Sequence, residues 1–210
     1  MKIAIGKIKN FRRGFTLIEL VISIAIFLLV ATVALFGYGK FRESITITNL
    51  SYDVALSIRQ AQTYGLSVRE FGGAFDAGYG VHFSKDRPNS FVLFADINGD
   101  KKFNDTGIGN SCEDSSECVS VFLIGGQNRI NYFCAKVPFP DTSECSYNGG
   151  VLEAMDIVFT RPNTKANFTA TRNAGGSQPN YESVDIHMAS EGGKSRTVTI
   201  YKTGQISVGQ

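Results

Sequence analysis

The chain has 210 residues and a net charge of +2, with 21 Lys and Arg against 19 Asp and Glu. Residues 1–14 contain five of the basic residues and no acid, so the remainder is mildly acidic, with a net charge of about −3. A chain of that charge lacks the broad basic surface that non-specific nucleic-acid binding requires. We therefore expect no nucleic-acid partner.

A long apolar stretch follows the basic segment. From Leu20 to Tyr38 there is no charged residue, which is close to the ~20 residues that a helix needs to cross a bilayer. Basic residues beside such a helix stay on the cytoplasmic side. The sequence thus predicts a single-pass protein of the inner (cytoplasmic) membrane with its N terminus inside. Glu19 at the edge of this stretch is unusual, because a carboxylate entering a bilayer costs about 2.5–3.5 kcal/mol and needs a partner.

The residues around Glu19 form a motif, Arg12-Arg13-Gly14-Phe15-Thr16-Leu17-Ile18-Glu19. It resembles the class III signal of type IV prepilins and type II secretion pseudopilins. The resemblance implies that a prepilin peptidase and N-methyltransferase cuts after Gly14 and methylates the new N-terminal Phe15. It also implies that Glu19, one helical turn from Phe15, pairs with the N-terminal amine during assembly. The alternatives are a plain signal anchor with an incidental Glu19 and a conventional secretory cleavage near residues 31–34.

The helix is expected to continue beyond the apolar stretch. Five apolar residues recur at spacings of three and four and form one stripe: Ile47, Leu50, Val54, Ile58 and Ala61. Gly37 and Gly39 mark the junction between the two halves of the helix, and Gly65 is a reasonable C-terminal stop. The predicted regions are a cytoplasmic leader, a transmembrane and assembly half of the helix, a soluble half, and a β-rich globular domain, at residues 1–14, 15–39, 40–65 and 66–210.

The last region reads as one antiparallel β domain. Short β-branched and aromatic runs are separated by Gly, Asn, Asp and Pro. They predict strands at 79–83, 90–95, 119–124, 130–133, 154–159, 166–170, 183–189, 195–201 and 206–208. The loops at 107–116 and 175–179 are expected to be mobile insertions. The predicted fold is therefore α+β and type IV pilin-like, with one long N-terminal helix packed on a C-terminal antiparallel β domain.

Three segments add a second resemblance. Residues 55–62, residues 91–100 and the terminal hairpin at 195–208 are similar to the GspH/FimT group of minor pseudopilins. This resemblance implies that the helix docks on two small β-sheets, and that the protein lies near the tip of a short fibre or primes its assembly.

Four cysteines lie in the β domain, at Cys112, Cys118, Cys134 and Cys145. An even number in an extracytoplasmic segment favours disulfide bonds. Of the three possible connectivities, Cys112–Cys118 with Cys134–Cys145 is favoured because both loops are short. A zinc site is the alternative, and the spacings fit the usual zinc motifs poorly.

Several oxygen-bearing side chains suggest a calcium loop: Asp96, Asn98, Asp100, Asn104 and Asp105. Calcium prefers six to eight oxygen ligands, and alternate positions aim the first three at one point. However, Gly99 precedes Asp100 instead of following it, and Gly107 occupies the place of the expected bidentate Glu. The alternative is a hairpin turn at Asn98-Gly99. No cofactor is required, and Ca²⁺ is the one candidate.

No catalytic motif is present, and we expect no enzyme. There is no nucleophile elbow, phosphate loop or His-Glu-x-x-His sequence. His82 and His187 lie in alternating runs and are interpreted as strand residues.

The sequence thus indicates a minor pseudopilin or pilin subunit of a type II secretion pseudopilus or type IV pilus. Its expected partners are the processing enzyme, membrane lipid before assembly, an inner-membrane assembly platform, and other pilins in an extracytoplasmic fibre. One alternative is a minor pilin for DNA uptake or adhesion, with Lys101-Lys102-Phe103, Lys194 and Arg196 as weak nucleic-acid candidates. The other is a membrane-anchored β domain of unknown activity.

Overall fold

A computed structural model describes residues 14–104, 111–112, 117–139, 141–147, 149–173 and 178–209. The fold is α+β, as predicted, with one helix, α1, at Leu17–Leu66. Ten strands follow: β1 Gly78–Ser84, β2 Ser90–Asp96, β3 Cys118–Leu123, β4 Asn128–Val137, β5 Thr142–Cys145, β6 Leu152–Phe159, β7 Ala166–Arg172, β8 Ser183–Ser190, β9 Ser195–Tyr201 and β10 Ile206–Gly209. Backbone contacts divide the chain into two compact units, Met1–Arg42 and Glu43–Gln210.

The strands form two antiparallel sheets of five strands each. The first sheet has the order β3-β2-β1-β6-β7, and the second has the order β10-β9-β8-β4-β5. Strand β4 is the longest and pairs with both β5 and β8. Strands β3 and β7 are therefore the edges of the first sheet, and β5 and β10 are the edges of the second.

The C-terminal part of α1 supplies one wall of the core. Its predicted stripe is confirmed, because Ile47, Val54, Ile58 and Ala61 are fully buried and Leu50 nearly so. These side chains pack in one cluster with apolar residues of both sheets, such as Phe83 and Ile186. Burial of this kind supplies most of the stability of an amphipathic helix.

Both ends of this packed segment are attached to the β domain by polar contacts. The Ser190 hydroxyl donates a hydrogen bond to the Glu43 carboxylate. Near the other end, the Gln62 amide donates to the carbonyl oxygens of Thr164 and Gly204, at 3.3 and 3.2 Å. The helix ends one residue after the predicted Gly65 stop. Gly65 instead permits close approach, since a Cβ there would lie 2.2 Å from the Phe159 carbonyl oxygen.

The strand predictions need two corrections. All nine predicted runs are strands, but β4 extends to Val137 and β5 was not predicted. Strand β5 is a short polar edge strand, so it carries no apolar alternation to reveal it. The Asn98-Gly99 pair is not the turn of a tight hairpin, because β2 ends at Asp96 and β3 begins only at Cys118. The predicted loops at 107–116 and 175–179 lie largely outside the described residues.

Candidate functional site

The first turn of α1 begins with a side-chain cap. Thr16 precedes the helix, and its hydroxyl oxygen accepts a hydrogen bond from the Glu19 backbone N–H at 3.3 Å. The Thr16 carbonyl accepts the first helical bond, from Leu20 N–H at 3.2 Å. Thr16 and Glu19 therefore occupy the N-cap and N3 positions of a Thr-x-x-Glu capping sequence. The sequence analysis missed this role of Thr16, although the spacing signals it.

The predicted cleavage residues lie directly before this cap. Gly14 and Phe15 are outside the helix, and the Phe15 side chain is exposed. Glu19 lies in the first helical turn, where the helix dipole favours a negative charge. Arg12 and Arg13 lie outside the described residues. Cleavage after Gly14, methylation of Phe15 and the pairing of Glu19 with an amine stay predictions.

The helix that follows is apolar enough to cross a membrane. Leu17–Leu35 has a mean hydropathy of 2.7, and none of this segment is buried in the structure. At 1.5 Å per residue it is about 28 Å long, close to the ~30 Å hydrocarbon core of a bilayer. Its hydroxyl groups are satisfied within the helix. Ser23 donates to the Glu19 carbonyl, and Thr32 donates to the carbonyls of Leu28 and Leu29, which lowers the cost of placing them in lipid.

All four cysteines form disulfide bonds in the predicted pairing, Cys112–Cys118 and Cys134–Cys145. The first bond joins the start of β3 to the loop before it. The second joins directly opposed positions of β4 and β5. With no thiol free, the zinc alternative has no ligands among these residues.

The acidic loop after β2 is organised by its own side chains. Asp96 accepts hydrogen bonds from the N–H groups of Gly99 and Lys101, at 2.9 and 3.1 Å. Asn98 and Asp100 each accept one from the N–H two residues on, at 3.0 and 2.9 Å. These are Asx turns, and the positive φ of Gly99 suits them.

The calcium prediction would use the same side-chain oxygens of Asp96, Asn98 and Asp100 that accept these backbone hydrogen bonds. Burial raises the pKa of Asp96, and the N–H groups of Lys101 and Gly99 oppose that rise. Asn104 donates to the other Asp100 oxygen at 2.8 Å, and Asp105 lies outside the described residues. No group of three or more His, Cys, Asp or Glu able to hold a metal occurs in the described part of the chain. Calcium binding stays a prediction, which a calorimetric titration with Ca²⁺ tests.

His82 lies on β1 and joins it to β6. Its Nδ1 is 2.7 Å from Asp156 Oδ1, at opposed positions of the two strands. Burial raises the pKa of Asp156, while His82 and the Phe103 N–H oppose that rise. The Phe103 ring covers the pair, with its centroid 5.1 Å from that of His82. The arrangement fastens the acidic loop to the outer face of the first sheet.

His187 lies on β8, on the outer face of the second sheet. Its ring stacks on Tyr132 at 4.2 Å, and its Nδ1 is 3.0 Å from the Thr197 hydroxyl. Burial lowers the pKa of His187, and the charge of Asp185 opposes this. Both histidines are thus strand residues, as predicted, with structural contacts.

The weak nucleic-acid candidates lie in the acidic loop and around the start of β9. Phe103 packs against His82 and against Phe94, at a centroid distance of 5.3 Å from the latter. The Phe103 ring therefore packs against the first sheet. Lys194 directly precedes β9 and Arg196 lies near its start, whereas Tyr201, an exposed aromatic residue, lies at the other end of the strand.

Comparison with protein families finds one match. Residues 9–35 match the model described as the prokaryotic N-terminal methylation motif, which is characteristic of type IV prepilin-like proteins, including pseudopilins. The match spans the predicted cleavage residues, Glu19 and the apolar segment, and it implies prepilin peptidase processing and pilin-type assembly in general. Comparison with curated proteins and with solved structures finds no match.

Proposed function

We propose, on the premise that residues 9–35 carry a prepilin-type methylation motif, that this chain is a minor pseudopilin or minor pilin. It is cut after Gly14, methylated on Phe15, and assembled through α1 into a type II secretion pseudopilus or a type IV pilus. The observation that carries the proposal is the position of the motif. The motif extends into an exposed apolar helix segment, and the same helix continues into the core of the β domain.

The assembly step follows from the position of Glu19. An ionised carboxylate at the edge of an apolar segment is costly unless it is paired with an opposite charge. Cleavage creates an α-amine at Phe15, and the attraction between amine and carboxylate is stronger in lipid than in water. A fibre forms when Glu19 of an incoming subunit meets the Phe15 amine of its neighbour, in head-to-tail contacts that do not close.

The architecture of the β domain favours the GspH/FimT-like branch. The resemblance implied two small sheets packed on the helix, and the domain has two sheets of five strands that share one core with α1. The two disulfide bonds suit an extracytoplasmic location. We propose no catalytic activity, because the two histidines make structural contacts and the chain is itself the substrate of the processing enzyme.

The first test is the N terminus and intact mass of the protein recovered from membranes. Cells with an active prepilin peptidase are compared with cells that lack it. We expect a start at Phe15 with one added methyl group in the former and an uncut chain in the latter. A start at Met1 in both, or a cut near Ala34, would contradict the proposal and leave a membrane-anchored β domain.

A second test separates processing from assembly. The Glu19→Ala variant should be cut and methylated like the unmodified chain, because the residues at the cleavage site are unchanged. Its incorporation into fibres, measured by immunoblotting of sheared fibres, should fall at least about tenfold, since the amine loses its partner. The Glu19→Asp variant keeps the charge and should recover part of this loss. Normal incorporation of Glu19→Ala would refute the pairing.

A further inference from the structure

The turn between β8 and β9 lies beside the residue at which the packed segment of α1 begins. The Ser190 hydroxyl donates a hydrogen bond to the Glu43 carboxylate. Gly192 lies so close that a Cβ there would be 2.3 Å from a Glu43 carboxylate oxygen. The turn is closed by the Ser190 N–H, which donates to the Lys194 carbonyl at 2.9 Å. It is therefore held at the place where the chain enters the β domain.

Three basic side chains gather around this turn. Lys194 belongs to the turn, and Arg196 lies near the start of β9. Arg129 is brought near by strand pairing, because it lies opposite Ala189 of β8, which lies opposite Ser195 of β9. Neighbouring strands are about 4.8 Å apart, so the backbones of Arg129 and Ser195 are separated by roughly 10 Å. We term Arg129, Lys194 and Arg196 the basic face.

The charges of the basic face are available to a partner. Arg129 and Lys194 are exposed, and Arg196 is half-buried. In the described part of the chain, none of the three takes part in an ion pair. Two acids lie nearby, Glu43 and Glu191. They reduce the positive charge of this region but do not cancel it.

Positive charge is concentrated where the chain enters the domain. Lys40 and Arg42 stand directly before the packed segment in the sequence. With the basic face they make five basic residues against Glu43 and Glu191, a net charge of +3. The other residues after position 43 include 11 basic and 16 acidic ones, a net charge of −5. A mildly acidic domain therefore has one basic region, beside its connection to the apolar segment.

The membrane lies within reach of the basic face. The uncharged stretch ends at Tyr38, and the five residues from there to Glu43 span at most about 18 Å, even fully extended. Lipid head groups extend about 5–8 Å beyond the hydrocarbon core, and charges act over a Debye length of about 8 Å at physiological salt. The short connection therefore keeps the basic face at a high effective concentration near the head groups.

We propose that the basic face binds the anionic phospholipid head groups of the membrane that holds α1, and so keeps the β domain on the membrane surface before assembly. The chemistry is complementary, because a guanidinium group binds phosphate oxygens through two parallel hydrogen bonds and an ammonium group binds them as a point charge. Each Lys or Arg near an anionic surface strengthens attachment about fivefold. The proposal goes beyond the proposed function, since it requires only that Leu17–Leu35 lies in a bilayer.

Hydrogen–deuterium exchange of the full chain in vesicles tests the proposal. The chain is reconstituted into phosphatidylcholine vesicles with and without phosphatidylglycerol, and exchange is followed by mass spectrometry. We expect phosphatidylglycerol to slow exchange at least about fivefold at residues 125–129 and 190–196, and high salt to remove this protection. The internal control is the β9–β10 turn at residues 202–205, where Gly204 contacts Gln62 near the other end of the packed helix. Its exchange should stay unchanged.

A charge-matched pair of variants identifies the groups responsible. Arg129→Gln combined with Lys194→Gln removes two exposed charges of the basic face. It should lower attachment about 25-fold and restore the exchange rates seen without phosphatidylglycerol. Lys102→Gln combined with Lys165→Gln removes two exposed charges elsewhere and should keep the protection. Thermal unfolding of the β domain is measured in both variants to confirm that they fold alike.

Several results would overturn the proposal. Equal protection in neutral and anionic vesicles would show proximity alone. No protection, or protection that extends equally to residues 202–205, would show that the basic face does not bind the head groups. Protection that survives in the Arg129→Gln, Lys194→Gln variant, or that both double variants lose equally, would have the same meaning. If a DNA duplex protects these residues in neutral vesicles and phosphatidylglycerol does not, the face binds nucleic acid and the lipid proposal is wrong.

The vesicle experiment needs no peptidase, which separates this proposal from the proposed function. If the protein recovered from cells starts at Phe15 and enters fibres but shows no protection in anionic vesicles, the lipid contact is wrong and the pilin role stands. If it starts at Met1 in cells and the basic face is still protected, the lipid contact stands and the pilin role is wrong. If it starts at Met1 and no protection occurs, both are wrong.

Discussion

The two halves of α1 are both rich in apolar residues, but they differ in what covers those residues. In the first half, Leu17–Leu35 is apolar on all sides, and side chains such as Ile26 and Phe27 are 60 % and 70 % exposed. In the second half, the apolar residues form one stripe that the β domain buries completely at Val54 and Ile58. A helix that is apolar all round needs lipid or other helices as its surroundings, whereas a striped helix needs only one packed face.

The difference predicts that the two halves of one helix lie in two different environments. The second half contributes to the stability of its own domain, and its sequence therefore alternates with polar residues such as Asn49 and Asp53, both exposed. The core residues in the described part of the chain begin at Ile47. Substitutions should consequently have different readouts in the two halves, on domain stability in one and on membrane association or assembly in the other.

The largest effect on domain stability is expected for Ile58→Ala. Ile58 is fully buried in the core, and truncation of a buried isoleucine to alanine costs about 2–5 kcal/mol because a cavity remains. The matched control is Ile26→Ala in the first half, which should leave unfolding of the β domain unchanged. Thermal and denaturant unfolding of the full chain in detergent, followed by near-UV circular dichroism, measures both. Equal losses in the two variants would refute the division of roles.

Two glycine-to-alanine substitutions in α1 give a second matched pair of variants. In Gly65→Ala, the added methyl would lie 2.2 Å from the Phe159 carbonyl oxygen, and the backbone of α1 or β6 must shift. Overpacking of this kind costs about 1–3 kcal/mol. In Gly39→Ala, nothing lies within 4 Å of the added methyl, so the helix should gain up to about 1 kcal/mol of intrinsic preference. Denaturant unfolding of the β domain checks Gly65→Ala, and slower amide hydrogen exchange in the helix around Gly39 checks Gly39→Ala. A stabilising Gly65→Ala would contradict the close approach to Phe159.

Much of the fold could be predicted because the relevant signals are local. The spacing of Ile47, Leu50 and Val54 marks the buried face of a helix without knowledge of its partner. In the same way, the alternation of apolar and polar residues marks most of the strands. Strand β5 was not predicted because it is a polar edge strand, which is defined by its pairing with β4 and not by a pattern in its own sequence. The close approach that Gly65 permits involves Phe159, which is distant in sequence. No local signal distinguishes a glycine needed for such a contact from one that ends a helix.

The same distinction applies to the candidate sites. The motif at Gly14, Phe15 and Glu19 is contiguous in sequence and was recognised from it. The pairing of His82 with Asp156 joins residues far apart in the chain, so sequence reasoning could place His82 on a strand but not name its partner.

A smaller effect is expected at the junction of the two halves. Glu43 begins the packed segment and accepts a hydrogen bond from the Ser190 hydroxyl. Because the Glu43 side chain is only half-buried, we expect a coupling of about 1 kcal/mol, below the usual range for bonds to charged groups. A double-mutant cycle of Glu43→Gln and Ser190→Ala isolates it from the bonds that Ser190 also makes to Lys194. Strict additivity of the two substitutions would show that the bond contributes nothing.

The smallest effect is expected at the start of the first half, where Thr16 and Glu19 each have a structural and a proposed functional role. Thr16→Ala removes the cap and should weaken the first turn of α1 by about 0.5 kcal/mol, the low end of the range for caps, because the contact is exposed. Faster amide hydrogen exchange at residues 17–20 in micelles measures this, and Thr16→Ser, which keeps the hydroxyl, should show no change.

The comparison with Glu19→Ala then separates capping from assembly. If Glu19 acted only within the capping sequence, Thr16→Ala and Glu19→Ala would impair fibre incorporation equally. If Glu19 acts through the amine of a neighbouring subunit, Thr16→Ala should still enter fibres and Glu19→Ala should not, because only the latter removes the charge that the amine requires.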